Sequence, residues 1–228
     1  LKDRIQRNLT GVMTMDIFLS TTSKDTKAQV KDFNTVLNAG KSHFSGSSVD
    51  LVVTSPPYGD SVTTVAYSQF SWLSNVWLGL DKSSSSKLDS DLMGGRKTSV
   101  NPLDFYKMLE CKAIKTVLEK IRLADEKRFV EIIQFYYEYY LSMKNVASII
   151  KKGGHVCYVV GNRNVKGFQI PTDIFTAWVF EQEGFTHIKT FIRNIPNKRM
   201  PSQNSPSNVS GVTSPTMSNE YIVVCRKD

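Results

Sequence analysis

Val49-Asp-Leu-Val-Val-Thr-Ser-Pro-Pro-Tyr58 is the stretch on which the reading of this chain turns. Val49 to Thr54 is rich in β-branched and aliphatic residues, the composition of a strand, and it ends abruptly at Ser55-Pro-Pro57. Proline fixes φ and has no N–H for a ladder, so the strand must stop there and hand over to a rigid loop. Open α/β sheets bind ligands beyond the carboxyl ends of their strands, and this strand delivers Ser55 and Tyr58 to that place. The prolines fix the Ser-Pro carbonyl and the Tyr58 ring relative to each other. Such a loop suits a planar substrate that bears an amine: oxygen acceptors take hydrogen bonds from the NH₂ while the ring stacks on the plane that carries it.

Outward from this strand, the pattern alternates. Leu1 to Lys31 mixes apolar and charged residues at helical spacing, with Ile5, Leu9, Val12 and Met13 on one side and a Ser/Thr-rich break at Ser20 to Ser23, so two modest helices are expected. Phe33-Asn-Thr-Val-Leu37 reads as a short strand closed by Asn38-Ala-Gly-Lys-Ser42. Residues 59–102 form a long irregular connection with a serine run at Ser83 to Ser86, read as a surface tip. Helices are expected at about 104–123 and 125–151, the second closed by Lys151-Lys-Gly-Gly154. Its cluster Phe135-Tyr-Tyr-Glu-Tyr-Tyr140 could serve as a base-stacking platform, but amphipathic packing of a helix on a sheet is the better reading. His155 to Gly161, Thr186 to Arg193 and Glu220 to Arg226 read as strands and Pro171 to Glu183 as a helix. Strands alternating with helices argue for an open, largely parallel α/β sheet in one domain spanning 1–228.

Composition narrows the function classes. The 228 residues carry 29 Lys+Arg against 21 Asp+Glu, a net charge of +8, which favours a polyanionic partner or an anionic surface. The cysteines Cys111, Cys157 and Cys225 lie far apart with no CxxC, which excludes a disulfide framework or a thiolate zinc site as the organising principle and leaves reduced thiols in or near the core. The longest apolar runs are strand-sized, far short of the ~18 residues of a membrane helix, so a cytoplasmic protein is expected. The chain opens at Leu1 without a charged-then-apolar leader pattern and reads as a trimmed or internal piece.

The flank Ser48-Val-Asp-Leu-Val-Val-Thr-Ser-Pro-Pro-Tyr-Gly-Asp-Ser61 resembles the amino-methylating DNA methyltransferases, which use S-adenosylmethionine and carry a (Ser/Asp/Asn)-Pro-Pro-(Tyr/Phe/Trp) signature after a hydrophobic strand. Lys151-Lys-Gly-Gly154, the strand ending Val-Val-Gly-Asn162, Gly184-Phe185 and Glu220-Tyr-Ile-Val-Val224 follow in that family's order, so the resemblance runs from about residue 33 to the C-terminus. It implies a Rossmann-like methyltransferase sheet and a base flipped into the pocket. Ser55, Pro56, Pro57 and Tyr58 would be catalytic: Tyr58 stacks on the base, while Ser55 and the carbonyl near Pro56 accept from the exocyclic amine. Serine at the first position, after Thr54, is more typical of the N4-cytosine branch than of N6-adenine enzymes. Transfer would be direct and in line, and Cys157, lying within a strand, is read as core.

The resemblance also implies a Gly-rich cofactor loop, roughly Phe-x-Gly-x-Gly, and this chain shows none. If residues 33–37 are the family's third strand and 49–54 its fourth, the first two strands are absent too, so the sheet is expected to be incomplete. The chain then reads as the C-terminal portion of a methyltransferase or one half of a split enzyme, whose second chain brings the cofactor loop. Asn38, Thr54 and Ser55 are the cofactor-contact candidates. The loop from Arg193 to Asn208 combines cations, amides and prolines, so Arg193, Asn197, Lys198, Arg199 and Asn204 are expected on double-stranded DNA, with Gln69 after the motif. The turn Gly161-Asn-Arg-Asn164 is a further candidate. The expected activity is N4-cytosine DNA methylation in a restriction-modification system, at the prokaryotic nucleoid. N6-adenine methylation and a noncatalytic DNA-binding subunit are the alternatives.

Overall fold

A computed structural model describes residues 2–21, 34–37, 44, 48–59, 67–79, 81, 93, 101–195, 203–204, 214–215 and 219–228. The chain divides into two units, Leu1–Asp32 and Phe33–Asp228. In the first, one helix, α1 (Lys2–Thr21), carries Ile5, Leu9, Val12 and Met13 on its exposed surface. It stops inside the Ser/Thr break, where Ser20 and Thr21 donate to the carbonyls of Ile17 and Phe18 and satisfy acceptors that the ended helix leaves open. The second helix expected here falls outside the described residues.

The second unit is built on a four-stranded sheet in the order β1-β2-β8-β5, with β1 at Val49–Thr54, β2 at Ile150–Val160, β5 at Phe185–Asn194 and β8 at Asn219–Lys227. β1 and β2 are parallel, whereas β8 runs antiparallel to both β2 and β5. The expected parallel sheet therefore holds for β1, β2 and β5 and is reversed at the last strand, since an antiparallel neighbour needs no crossover helix. Two further pairs are short: β3 (Asn164–Val165) with β4 (Phe168–Gln169), and β6 (Gln203–Asn204) with β7 (Ser214–Pro215).

Six helices precede or separate these strands in the described residues: α1, α2 (Tyr67–Trp77), α3 (Pro102–Met108), α4 (Lys112–Ala124), α5 (Glu126–Ile149) and α6 (Thr172–Gln182). α2 lies in the stretch expected to be irregular. The single helix expected at 104–123 is two, because Leu109 is buried in extended backbone and Cys111 caps a new helix. In α4, Ile114, Leu118 and Ile121 are fully buried at helical spacing. α5 starts at Asp125, whose side chain accepts from the Arg128 amide at 2.9 Å. Its aromatics face the core as expected: Phe135, Tyr136 and Tyr139 are buried, and the two tyrosine hydroxyls bond Thr172 and Thr176 of α6 at 2.7 and 2.8 Å. Burial of side chains this size stabilises by about 1.5–3 kcal/mol each. All three cysteines are free, with Cys111 and Cys225 buried and Cys157 half-buried.

Two expectations are overturned. Thr35 to Leu37 form a turn, not part of a strand: the Asn34 side chain accepts from Val36 N at 2.9 Å and its carbonyl from Leu37 N at 3.2 Å. Ser142 and Asn145 of α5 then hold that turn by its Thr35 hydroxyl and its carbonyls. The numbering of strands that rested on it falls away. Gly153-Gly154 do not close a helix either; they belong to β2. Val49 pairs with Ile150 but Leu51 with His155, so two positions along β1 match five along β2 and the surplus bulges out. Gly153 takes φ 78° there. The α5 terminus is capped from elsewhere, by Lys227 Nζ donating to the carbonyls of Ala147 and Ile150 at 2.8 and 3.0 Å.

Among the described residues β1 has no partner beyond β2 and is a sheet edge. Its outward residues Leu51 and Val53 are 55% and 67% exposed.

Candidate active site

The loop after β1 is placed by the β1–β2 ladder, which ends with Thr54 opposite Tyr158. Beyond it Ser55 is exposed, Pro56, Pro57 and Tyr58 are half-buried and Gly59 is buried. The Ser55 hydroxyl donates to Tyr58 Oη at 3.1 Å, and Tyr58 Oη donates to Glu220 Oε1 at 3.0 Å. Glu220 begins the apolar part of β8 opposite Arg193 of β5, and Arg193 donates to its Oε2 through Nε at 2.9 Å and through Nη2. Four residues from three separate strands or their ends thus form one connected chain. The Glu220 side chain is only 13% exposed, so the carboxylate is satisfied by these partners more than by water. The Tyr58 phenol is pushed above its ordinary value of 10, first by burial and then by Glu220, against the opposing pull of the Ser55 hydrogen bond and the Arg193 charge.

Gly59 explains how the loop packs. A Cβ there would lie 2.5 Å from Arg163 Nη1, so the arginine side chain crosses close over the Gly59 backbone and would have to shift to admit any larger residue. Tyr58, Gly59 and Arg163 meet Ile132, Phe135 and Tyr136 of α5 and Val165 and Ile170 of the β3–β4 region. Beside the loop, a cleft of about 610 Å³ is lined by Thr54 to Pro57, the outward residues Leu51 and Val53, and Ser142, Val146 and Ile149 of α5. A second cleft of about 400 Å³, against α6 and β5, is lined by Asp173, Trp178, Glu181 and His187 and includes none of the motif residues.

Of the residues singled out in the sequence, Ser55, Pro56, Pro57 and Tyr58 come together, Thr54 lines the same cleft and Arg193 joins them through Glu220. Asn38, Asn197, Lys198 and Arg199 lie outside the described residues, as do the side chains of Gln69 in α2 and Asn204 in β6. In the turn Gly161 to Asn164, Asn162 is buried, donates to Asp173 at 2.8 Å and accepts from the Asp173 amide, which ties it to the first turn of α6. Sequence reasoning missed Glu220. The signal available was an acid opening an otherwise apolar strand.

Residues 49–228 match the family described as DNA methylase. The Type II methyltransferase M.MvaI of Kocuria varians is 44% identical over 188 residues, which are 80% of this chain and 41% of that protein. The chain therefore spans less than half the length of this relative. Among solved structures, TTHA0409 of Thermus thermophilus, described as a DNA modification methylase, is 17% identical over 86% of this chain and 52% of its own, with a TM-score of 0.39. The form of that protein complexed with S-adenosyl-L-methionine is 16% identical over 85% of this chain and 53% of its own, with a TM-score of 0.37.

Proposed function

This chain belongs to the DNA methylase family, and from that premise we propose that it transfers a methyl group to the exocyclic N4 of cytosine in double-stranded DNA, as the catalytic portion of a restriction-modification enzyme. The observation that carries the reading is the Ser55–Tyr58–Glu220 chain at the end of β1: an exposed hydroxyl and a fixed aromatic ring sit side by side on a rigid Pro-Pro loop.

The amine of cytosine is a poor nucleophile because its lone pair is delocalised into the ring. Ser55 Oγ and the backbone carbonyl beside Pro56 accept from its N–H groups, which favours a geometry in which the lone pair is freed from the ring. Tyr58 supplies the face on which the flipped base stacks, and its hydroxyl bond to Glu220 keeps that face from rotating. Family members use S-adenosylmethionine, whose sulfonium supplies an electrophilic methyl group when bound. The described residues fit one flank of that molecule: Leu51 and Val53 give the cleft beside the motif an apolar wall, and Thr54 and Ser55 give it hydroxyls. Asn38 remains a candidate contact.

The exposed apolar edge of β1 supports a further segment pairing there, from the same polypeptide or from a second chain, which would complete the sheet and the cofactor site. A surplus of +8 supports DNA as the polyanion, with Arg193, Asn197, Lys198, Arg199, Asn204 and Gln69 as the proposed contacts. A DNA-modifying enzyme of this kind works in the cytoplasm, at the nucleoid. The test is methyl transfer to plasmid DNA by Ser55→Ala and Tyr58→Ala chains that keep the wild-type far-UV spectrum, each assayed with the segment that completes the cofactor site, on the same polypeptide or added as a second chain. Each is expected to lose about 10²–10³-fold or more. Unchanged transfer in both would remove the assignment.

A further inference from the structure

The hydrogen-bond chain at the motif has a forced direction. A carboxylate carries no proton, so Tyr58 Oη must donate to Glu220 Oε1. Tyr58 has one hydroxyl proton, which that bond uses, so the 3.1 Å contact with Ser55 must be made by the serine's proton. Ser55 is left with its lone pairs for whatever approaches from solvent. The far end is fixed by Arg193, whose Nε and Nη2 both take Glu220 Oε2 and leave Oε1 to Tyr58.

We propose that Glu220, clamped by Arg193, is a positioning residue that makes Ser55 a hydrogen-bond acceptor and so selects a base presenting an amine over one presenting a carbonyl at the same place. The proposal deepens the methyltransferase reading and rests on it. An N–H of cytosine N4 meets an acceptor; the O4 of uracil meets the same lone pairs and is repelled. Selection of the amine is thus set two residues away from the atom that touches it.

Glu220→Gln tests this because it keeps shape and changes direction. Arg193 offers only donors, so it holds the amide oxygen and turns the amide NH₂ toward Tyr58. Tyr58 then accepts, gives its own proton to Ser55, and Ser55 turns its proton outward as a donor. In the double variant Glu220→Gln with Arg193→Met, the amide is free to rotate its oxygen back to Tyr58 and the original direction returns.

The experiment titrates the chain with 1-methylcytosine and with 1-methyluracil, following Tyr58 by ¹³C-labelled tyrosine resonances assigned with Tyr58→Phe. The wild-type chain is expected to prefer the cytosine. Glu220→Gln is expected to shift the ratio of the two affinities toward uracil by about tenfold or more, and the double variant to shift it back by a similar factor. A merely structural role for Glu220 would weaken both bases together and leave the ratio alone. The proposal is overturned if wild type does not distinguish the two bases, if Glu220→Gln leaves the ratio unchanged, or if the double variant does not recover it. Transfer of labelled methyl groups to plasmid DNA is measured in parallel, with the segment that completes the cofactor site supplied on the same polypeptide or as a second chain. Its absence with an intact base preference would sink the methyltransferase reading and leave the relay standing.

Discussion

Replacing Gly154 by alanine should loosen the strand that carries the site. A Cβ at this position would lie 2.8 Å from Ile150 Cγ2, 2.9 Å from the Lys151 carbonyl oxygen and 3.0 Å from the Asp50 carbonyl oxygen. The isoleucine methyl can turn away, but the two carbonyls are backbone, and that of Asp50 belongs to β1. Relaxing to an ordinary C···O contact of about 3.3 Å requires β1 to withdraw by roughly 0.3 Å. Overpacking of this kind is worth about 1–3 kcal/mol, offset by the ~0.4–1 kcal/mol through which alanine restricts the unfolded chain. A net loss of up to roughly 2.6 kcal/mol corresponds to a fall in Tm of up to about 10 °C for a chain of this size. Gly153→Ala is the comparison, because its Cβ meets nothing within 4 Å and only its φ of 78° is strained. Thermal unfolding followed by circular dichroism gives both losses, and methyl transfer gives the effect on the site five residues downstream of Asp50. Gly154→Ala is expected to lose more transfer activity than Gly153→Ala for the same loss of Tm. A Gly154→Ala chain that melts above wild type would refute the packing argument.

Tyr139→Phe should be milder than Tyr136→Phe, because Thr176 keeps its bond to the Thr172 carbonyl at 2.7 Å; about 1 kcal/mol against about 1–3 kcal/mol is expected from urea unfolding. Lys227→Met removes two charge-assisted bonds from the carbonyls that end α5 and should lower stability by about 1.5–3 kcal/mol in the same assay. The bond from Lys166 and the amide of Arg128 hold the Asp125 carboxyl below its ordinary value. Its contribution is therefore present above about pH 4 and is lost as pH falls through the depressed folded value. Asp125→Asn, which keeps the cap, should flatten that acid limb of the stability profile, and an unaltered limb would count against the assignment.

What the sequence disclosed is what local chemistry decides. The Pro-Pro stop after β1, the extent of α5 and the start of α6 near Pro171 each follow from residues within one element, and each is found in place, whereas the face of α5 expected at Val130, Ile133, Tyr137, Tyr140 and Leu141 is buried only at Ile133 and the core side falls on Phe129, Ile132, Tyr136 and Tyr139. The turn at Asn34 to Leu37 escaped because a β-branched, apolar run was outweighed by one asparagine side chain and by α5 residues more than 100 positions away. Gly153-Gly154 after a helix looks like a terminator, and only the neighbouring β1 backbone shows why the second glycine is needed. Glu220 escaped for the same reason, and Arg193, singled out as a DNA contact, was not linked to it: β8 and β5 bring the two to Tyr58 across 162 and 135 positions of chain (220 − 58 and 193 − 58), and no spacing rule spans that distance.

Mass spectrometry of nucleosides puts the central claim to its most direct test. DNA from a methylation-free host expressing the chain together with the segment that completes its cofactor site, on the same polypeptide or as a co-expressed second chain, is digested and compared with DNA from the same host expressing the Ser55→Ala form. The account predicts N4-methylcytosine in the first and its loss in the second. N6-methyladenine in its place, or N4-methylcytosine undiminished in the Ser55→Ala sample, would contradict it.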